Sequence, residues 1–254
     1  MKGTVGYGLL GLAAFLFFLA LLAPATLLTD PLDRRLTGFS VQAVEGTATG
    51  GAMSGVRWHG IRIERLFWRW RPLALFGGRL EFSLKADDPA LKLTGNAALG
   101  LNQQLSFRDL AGRLPLAWFI DGAGSAKPPL DGIGEFNLRH LELNAAGQPL
   151  AARGTVQILN LRALLGQPLN LGNYTVQLDS AGSADGIQGK LKDDNAPLAL
   201  DGTLNVLADG RYRLNGQVAL RDTGNAALRQ ALNMLGPPGG DGRWALNFSG
   251  ALAP

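Results

Sequence analysis

No cysteine occurs among the 254 residues of this chain. Disulfides, thiolate metal ligands and a cysteine nucleophile are therefore excluded, and the redox compartment goes unreported. Histidine is nearly absent too. His59 and His140 are the two in the sequence, and neither has a second His, Cys or acidic partner at ligand spacing, so a zinc site is not indicated. There is no large excess of charge. Lys and Arg number 24 against 20 Asp and Glu, too slight a bias for a nucleic-acid surface. No G-x-S-x-G elbow is present, and Gly122-x-Gly124 and Gly132-x-Gly134 do not open a helix, so neither a serine hydrolase nor a phosphate cradle is suggested. The pairs Asp87-Asp88 and Asp193-Asp194 sit beside Pro89 and near Pro197. Turn chemistry favours Asp there without catalysis, and the spacing is not that of a calcium loop. Neither an enzymatic activity nor a cofactor is expected.

Charge is missing altogether between Lys2 and Asp30. The apolar heart of this stretch, Val5 to Ala23, is 19 residues long. As a helix it would measure about 28 Å, just enough for a hydrocarbon core of about 30 Å. Leu9, Leu10, Phe15, Leu16, Phe17, Phe18 and Leu19 form its core. A buried helix of a globular domain would show one polar face, and this run shows none. Ala23-Pro24-Ala25 imitates a signal-peptidase site, but the run exceeds the roughly 7–15 residues of a cleavable h-region. An uncleaved transmembrane anchor over residues 1–29 is therefore expected, followed by a body over 30–254. Lys2 on one side and Asp30, Asp33, Arg34 and Arg35 on the other do not fix its orientation.

The body is dominated by a period of two. Residues 79–85, 134–139, 173–179, 211–218 and 243–249 alternate apolar with polar, each reading as a strand with one apolar face. Some eleven to thirteen strands are predicted by this periodicity. Ala208-Asp209-Gly210-Arg211 suits a hairpin with a two-residue primed turn. At His140 the alternation changes phase, from Phe136 and Leu138 to Leu141 and Leu143, which predicts a β-bulge. One helix is predicted at Thr223–Leu235, capped by Asp222 or Thr223 and stopped by Gly236-Pro237-Pro238. Shorter helical turns are considered at 31–36, 109–114 and 160–165. Residues 84–95 echo 191–202 as strand, acidic turn, proline, strand, glycine, without the constant period of a solenoid. The Gly-, Ser- and Pro-rich stretch 122–129 is the most linker-like, and a subdivision of the body is considered there. The expected fold is all-β: an antiparallel, twisted, curled sheet, half-barrel or groove-like, with one or two short helices.

One segment concentrates basic and aromatic residues, Arg62 to Arg71. As a strand it places Leu66, Trp68 and Trp70 on one face and Arg65, Phe67, Arg69 and Arg71 on the other. Core tryptophans beneath a solvated arginine row are the simplest reading. The anchor would keep the segment near a membrane, which makes Arg65, Arg69 and Arg71 the candidate contacts for lipid headgroups or a partner. Nucleic acid is not expected.

The order of landmarks resembles one family. Val44-Glu45-Gly46-Thr47 is followed by Leu66-Phe67-Trp68-Arg69-Trp70-Arg71-Pro72, then by Leu110-Ala111-Gly112-Arg113-Leu114-Pro115. Gly186-Ile187-Gln188-Gly189, Ala196-Pro197-Leu198, Asp209-Gly210-Arg211-Tyr212, Leu232-Asn233-Met234-Leu235-Gly236 and Asp241-Gly242-Arg243-Trp244 complete the series. Taken in sequence these resemble protein N of the type II secretion system of Gram-negative bacteria. The resemblance implies a single-pass inner-membrane protein with its amino end in the cytoplasm and its β body in the periplasm. It implies an accessory, non-enzymatic role in exporting folded proteins across the outer membrane, with other secretion-system proteins as partners. The body is also similar to membrane-tethered periplasmic β-groove proteins that handle lipids, which makes a lipid-binding groove the alternative.

Overall fold

The computed structural model describes residues 15, 22–26, 40–58, 61–89, 91–100, 104–117, 130–144, 147–165, 167–180, 186–234 and 236–251. Among these, thirteen strands form one antiparallel sheet in strict sequence order. They are β1 (Ala43–Thr47), β2 (Gly50–Trp58), β3 (Ile61–Trp70), β4 (Arg79–Asp87), β5 (Lys92–Gly100), β6 (Leu105–Pro115) and β7 (Leu130–Leu143). There follow β8 (Pro149–Leu165), β9 (Gln167–Asp179), β10 (Ile187–Asp193), β11 (Leu198–Val206), β12 (Arg211–Leu220) and β13 (Trp244–Ala251). β1 and β13 end the order without meeting, so the sheet is not closed. A 3-10 turn at Pro72–Gly77 joins β3 to β4, and helix α1 (Ala226–Asn233) lies between β12 and β13.

The period of two becomes continuous apolar rows once the strands are in register. One row runs Met53, Leu66, Ala86, Leu93, Gly112, Phe136, Val156, Val176, Leu191, Gly202, Gly216 and Leu246. A second, parallel row contains Trp68 beside Gly51, Leu84 beside Gly95, Leu138 beside Gly154, and Leu178 and Leu204 on either side of Gly189. Large side chains thus face glycines across the strands. The fit is tight: a Cβ on Gly51 would come within 2.7 Å of the Trp68 ring, and one on Gly112 within 2.5 Å of Phe136 Cζ. Gly51 and Gly112 are sockets for their neighbours, the arrangement by which aromatic and branched residues cover weak glycine positions in strands.

Three bulges keep these rows in phase. Phe107 and Leu110 are three apart in β6, yet both belong to the apolar face. Asp109 takes up the extra position with φ of 50°, where the register against β5 shifts. Leu138 and Leu141 in β7 have the same spacing, with a register shift between Leu138 and His140, so the bulge predicted at His140 is found. In β8 the shift lies between Ile158 and Leu161, and Asn160 has φ of 52°. The turns considered at 109–114 and 160–165 are therefore not helical. Their i, i+3 apolar spacing imitates a helix because a bulge swallows one residue of an alternating strand. Asp and Asn fill the left-handed positions because they tolerate positive φ better than other non-glycine residues.

Two further expectations are corrected in detail. The Asp209-Gly210 hairpin is formed, but its loop has three residues rather than two. Leu207 N donates to Arg211 O at 2.8 Å, and Gly210 N donates to Leu207 O at 2.9 Å. Gly210, at φ of 80°, is the left-handed residue that ends an ordinary turn, so no primed turn is needed. Helix α1 is capped by Asn225, whose side chain accepts from Leu228 N at 3.1 Å. Asp222 instead closes the preceding turn by accepting from Gly224 N. Leu228 and Leu232 of α1 pack with Leu198, Val218 and Trp244, covering the apolar face at the β11–β13 end.

The expected anchor lies almost wholly outside the described residues, as do the turn at 31–36 and the stretch 122–129. Of the anchor core only Phe15 is described. No helix among the described residues is long and apolar enough to cross a membrane. Residues 22–26 are described and join the sheet: Ala48 N donates to Ala23 O at 2.8 Å, and Ala25 N to Gly46 O at 3.3 Å. On either side of 118–129, β6 and β7 pair from Leu105↔Leu143 to Pro115↔Ile133.

The sockets make a direct prediction. Gly112→Ala is expected to cost about 1–3 kcal/mol, since overpacking against Phe136 and the Lys92 carbonyl must distort one of them. Gly240→Ala, with nothing within 4 Å of its added Cβ, is expected to change stability by less than about 0.5 kcal/mol. Urea denaturation of the two variants checks this.

Candidate interaction surfaces

Among the described residues no group of three or more His, Asp or Glu is placed to hold a metal ion. His59 lies outside the described residues. His140 is half-buried, with Nε2 3.0 Å from Glu142 Oε1. The acidic pairs have structural positions. Asp88 is buried, and its Oδ2 accepts from Glu64 N at 2.8 Å, tying the β4–β5 turn to β3. Asp193 does the corresponding work in the β10–β11 turn. It accepts from Leu200 N at 2.9 Å, from Ala196 N at 3.3 Å and from the Arg221 guanidinium at 2.6 Å. Burial pushes the Asp193 carboxyl up, but the Arg221 and backbone hydrogen bonds outweigh it and hold the group below the usual carboxylate range. Tyr174, paired opposite Asp193, donates to Leu171 O at 2.7 Å. Burial first, and the Asp193 charge second, push its phenol up to about 12.

The arginine-rich strand β3 divides as its alternation requires. Trp68 is 6 % exposed, at the centre of a cluster with Met53, Val56 and Ala25. Arg65 and Arg69 are exposed on the other face, with the Arg65 guanidinium 6.0 Å from the Phe67 ring centroid. Arg71 is held by Glu81 at 2.8 Å. Glu81 is itself only 6 % exposed, so this pair is partly desolvated and Arg71 is less free than its two neighbours. The structure thus brings Arg71 into a pocket and leaves Arg65 and Arg69 on an open polar face.

The two edges of the sheet differ. The outer edge of β1 carries residues 23–25, through the Ala23 and Ala25 hydrogen bonds and a bridge between Pro24 and Thr47. Among the described residues nothing pairs with the outer edge of β13. That strand offers its edge over Trp244–Ala251, with Phe248 exposed on the apolar face and Asn247 and Ser249 exposed on the polar one. The apolar face is a third surface. Its rows are half-buried rather than sealed, and only α1 lies over them among the described helices. The indole Nε1 atoms of Trp68, Trp70 and Trp244 are buried and have no hydrogen-bond partner among the described residues.

Sequence reasoning missed one surface feature, the 3-10 turn. Leu73, Leu75 and Phe76 are 80 %, 47 % and 93 % exposed. The available signal was an apolar run, Pro72-Leu73-Ala74-Leu75-Phe76, placed between two alternating strands where turn residues are normally polar.

Asp193 supplies a test of the turn. A carboxylate whose folded pKa is depressed contributes stability above its unfolded pKa, and loses that contribution as pH falls through the folded value. Asp193→Asn is therefore expected to lower stability at pH 7 by about 1.5–3 kcal/mol, the range for hydrogen bonds to a charged group. The gap from the parent protein should begin to narrow as pH falls below about 4, where the carboxyl of the unfolded chain takes up a proton that the folded one still resists. Denaturant titrations at pH 7 and pH 3 read both effects.

Comparison with known proteins gives the family. The family described as type II secretion system (T2SS), protein N matches residues 37–247, from just before β1 into β13. The type II secretion system protein N of Aeromonas hydrophila is 25 % identical over 99 % of this chain and 100 % of its own length. That of Vibrio cholerae is also 25 % identical, with the same coverage. That of Klebsiella pneumoniae is 32 % identical over 90 % of this chain and 88 % of its own. No solved structure matches significantly. With the match spanning nearly the whole sheet, this chain belongs to the type II secretion system protein N family.

Proposed function

We propose that this chain is a non-enzymatic component of a type II secretion system, held at the inner membrane by residues 5–23. Its β body would lie in the periplasm and support the export of folded proteins by binding other secretion components. The family match over 37–247 carries this reading. The hydrogen bonds that join residues 23–25 to the β1–β2 hairpin favour it further. An anchor whose end is hydrogen-bonded to the sheet would limit the body's freedom to turn at the membrane. The sheet would curl about its apolar face, since the glycine sockets lie on that face and let large side chains crowd there. The open edge of β13 is the surface best suited to a partner, by strand addition.

A second reading has its own support. The apolar rows cross from β2 to β13, and among the described helices only α1 lies over them. A membrane-tethered protein that holds acyl chains against this face would use that open apolar surface.

One experiment separates the two. The full-length protein carries a photo-cross-linking residue at Asn247 or Ser249 in a secreting Gram-negative host, and is purified from membranes with its partners and lipids. The secretion reading expects cross-links to other secretion components, and retention of exported substrates in the periplasm when the gene is deleted. Stoichiometric bound lipid, with unimpaired secretion and no protein cross-link, favours the second reading and removes the first.

A further inference from the structure

The 3-10 turn at Pro72–Gly77 exposes Leu73, Leu75 and Phe76 to water. Water disfavours apolar side chains of this size, so three within four residues call for a covering. Where the turn stands indicates what covers it. In an antiparallel meander the β1–β2 and β3–β4 connections lie on the same rim of the sheet. Here the two touch: Trp70 N, at the end of β3, donates to Thr49 O in the β1–β2 turn at 2.6 Å. That same β1–β2 turn receives the end of the uncharged N-terminal segment, through Ala48 N to Ala23 O and Ala25 N to Gly46 O. The exposed turn therefore stands beside the point where the apolar segment meets the sheet. Leu80 and Leu99, paired across β4 and β5 at this rim, are also exposed.

Charge at the rim fits an anionic surface. Beneath the turn lies an open pocket of about 550 Å³, lined by Trp70, Pro72 and Leu73 and by Arg71, Arg79, Glu81 and Arg108. Three arginines against one glutamate leave a net positive pocket, even with Arg71 paired to Glu81. Exposed Arg69 lies on the same polar face. Apolar side chains at a tip with arginines behind them match the layering of a bilayer interface, hydrocarbon below and phosphate above.

We infer that the 72–77 turn is a second membrane contact: Leu73, Leu75 and Phe76 enter the interface of the bilayer that holds the anchor, and Arg79 and Arg108 meet its phosphate headgroups. This rests on the proposed anchoring by residues 5–23. A contact of this kind would stop the body from swinging about a single helix and would set one rim of the sheet on the membrane.

The absence of cysteine makes the test direct. Gly77→Cys adds a Cβ that meets only the tip of Arg79, at 3.7 Å, and leaves the apolar side chains intact. The full-length variant, labelled with an environment-sensitive fluorophore, is reconstituted into vesicles of phosphatidylethanolamine and phosphatidylglycerol containing nitroxide-labelled lipid. Phe15→Cys reports the anchor, and exposed Thr223→Cys, on the opposite rim, reports the water-facing body. The inference expects position 77 to be blue-shifted and quenched by lipid nitroxides like position 15, with position 223 quenched only by an aqueous agent. Adding Leu73→Ser, Leu75→Ser and Phe76→Ser to Gly77→Cys should return its label to water. Arg79→Asn should lower the inserted fraction about fivefold, the worth of one arginine near an anionic surface, as should replacing phosphatidylglycerol by phosphatidylcholine in direction. If position 15 is in lipid while position 77 is as water-accessible as 223, the second contact is overturned and the anchor stands. If position 15 is itself in water, the anchor fails and this inference with it. If position 77 is shielded from lipid and water quenchers alike, protein covers the turn, and the lipid assignment is wrong.

Discussion

The fit of large apolar side chains into cross-strand glycine sockets is the constraint on which this structure depends. A single-layer sheet has no second layer to bury its apolar face, so side chains on that face must bury one another. Trp68 over Gly51, Phe136 over Gly112 and Leu110 over Gly95 do so by occupying the space where a Cβ would stand. Each pair removes apolar surface from water at about 25 cal/mol per Å² and fixes which residues lie opposite. A slip of one position would drive a side chain into backbone and turn a whole strand inside out. The sockets therefore set register as well as contribute stability, which a simple apolar/polar alternation does less sharply.

The same constraint explains the polar side of the molecule. Its charges are spread along the strands in cross-strand pairs such as Arg113 with Glu135 and Arg153 with Asp179, both at 3.3 Å. Exposed pairs of this kind contribute little each. The partly buried ones do more specific work. Asp193 with Arg221, and Asp88 with the Glu64 backbone, sit at the turns that start the β11 and β5 strands, where the chain reverses and the apolar rows must be handed on in phase. Acidic side chains serve as turn locks because they accept several backbone N–H bonds at once. That use accounts for Asp88 and Asp193, one member of each acidic pair.

Much of this was legible because alternation is a local property. The strands, the His140 bulge, the faces of β3 and the echo between 84–95 and 191–202 follow from spacing alone. The echo is realised as Leu84 opposite Gly95 in one hairpin and Leu191 opposite Gly202 in the other. What misled was the local look of a bulge. Phe107 to Leu110 and Ile158 to Leu161 have helical spacing, and only the pairing of neighbouring strands reveals that Asp109 and Asn160 absorb an extra residue. The Asp209-Gly210 loop misled for a related reason, since Gly210 serves equally well after an ordinary turn. The glycine sockets were not readable, because a glycine's partner is defined by register, up to tens of residues away. The candidate surfaces were least legible. An exposed edge exists only by comparison with the whole strand order, and the apolar turn at 72–77 became notable only when its side chains proved to be uncovered.

A meander in which each strand touches chiefly its sequence neighbours behaves like a one-dimensional array, and such arrays are weakest at their ends. The two ends here are finished differently. At β1 the backbone of residues 23–25 covers the Gly46–Ala48 end of the edge, so a strand could not add there without displacing it. At β13 the finish is on the face instead: α1 lays Leu228 and Leu232 against Val218 and Trp244, while the backbone edge remains open among the described residues. Exposed edges invite pairing, and folds that must not pair usually block them with charge, proline or a covering element. Between Trp244 and Ala251 there is neither charge nor proline. An array partly covered at β1 by residues 23–25 and open at β13 among the described residues has a direction, and that direction puts the pairing edge at the other end of the strand order from those residues.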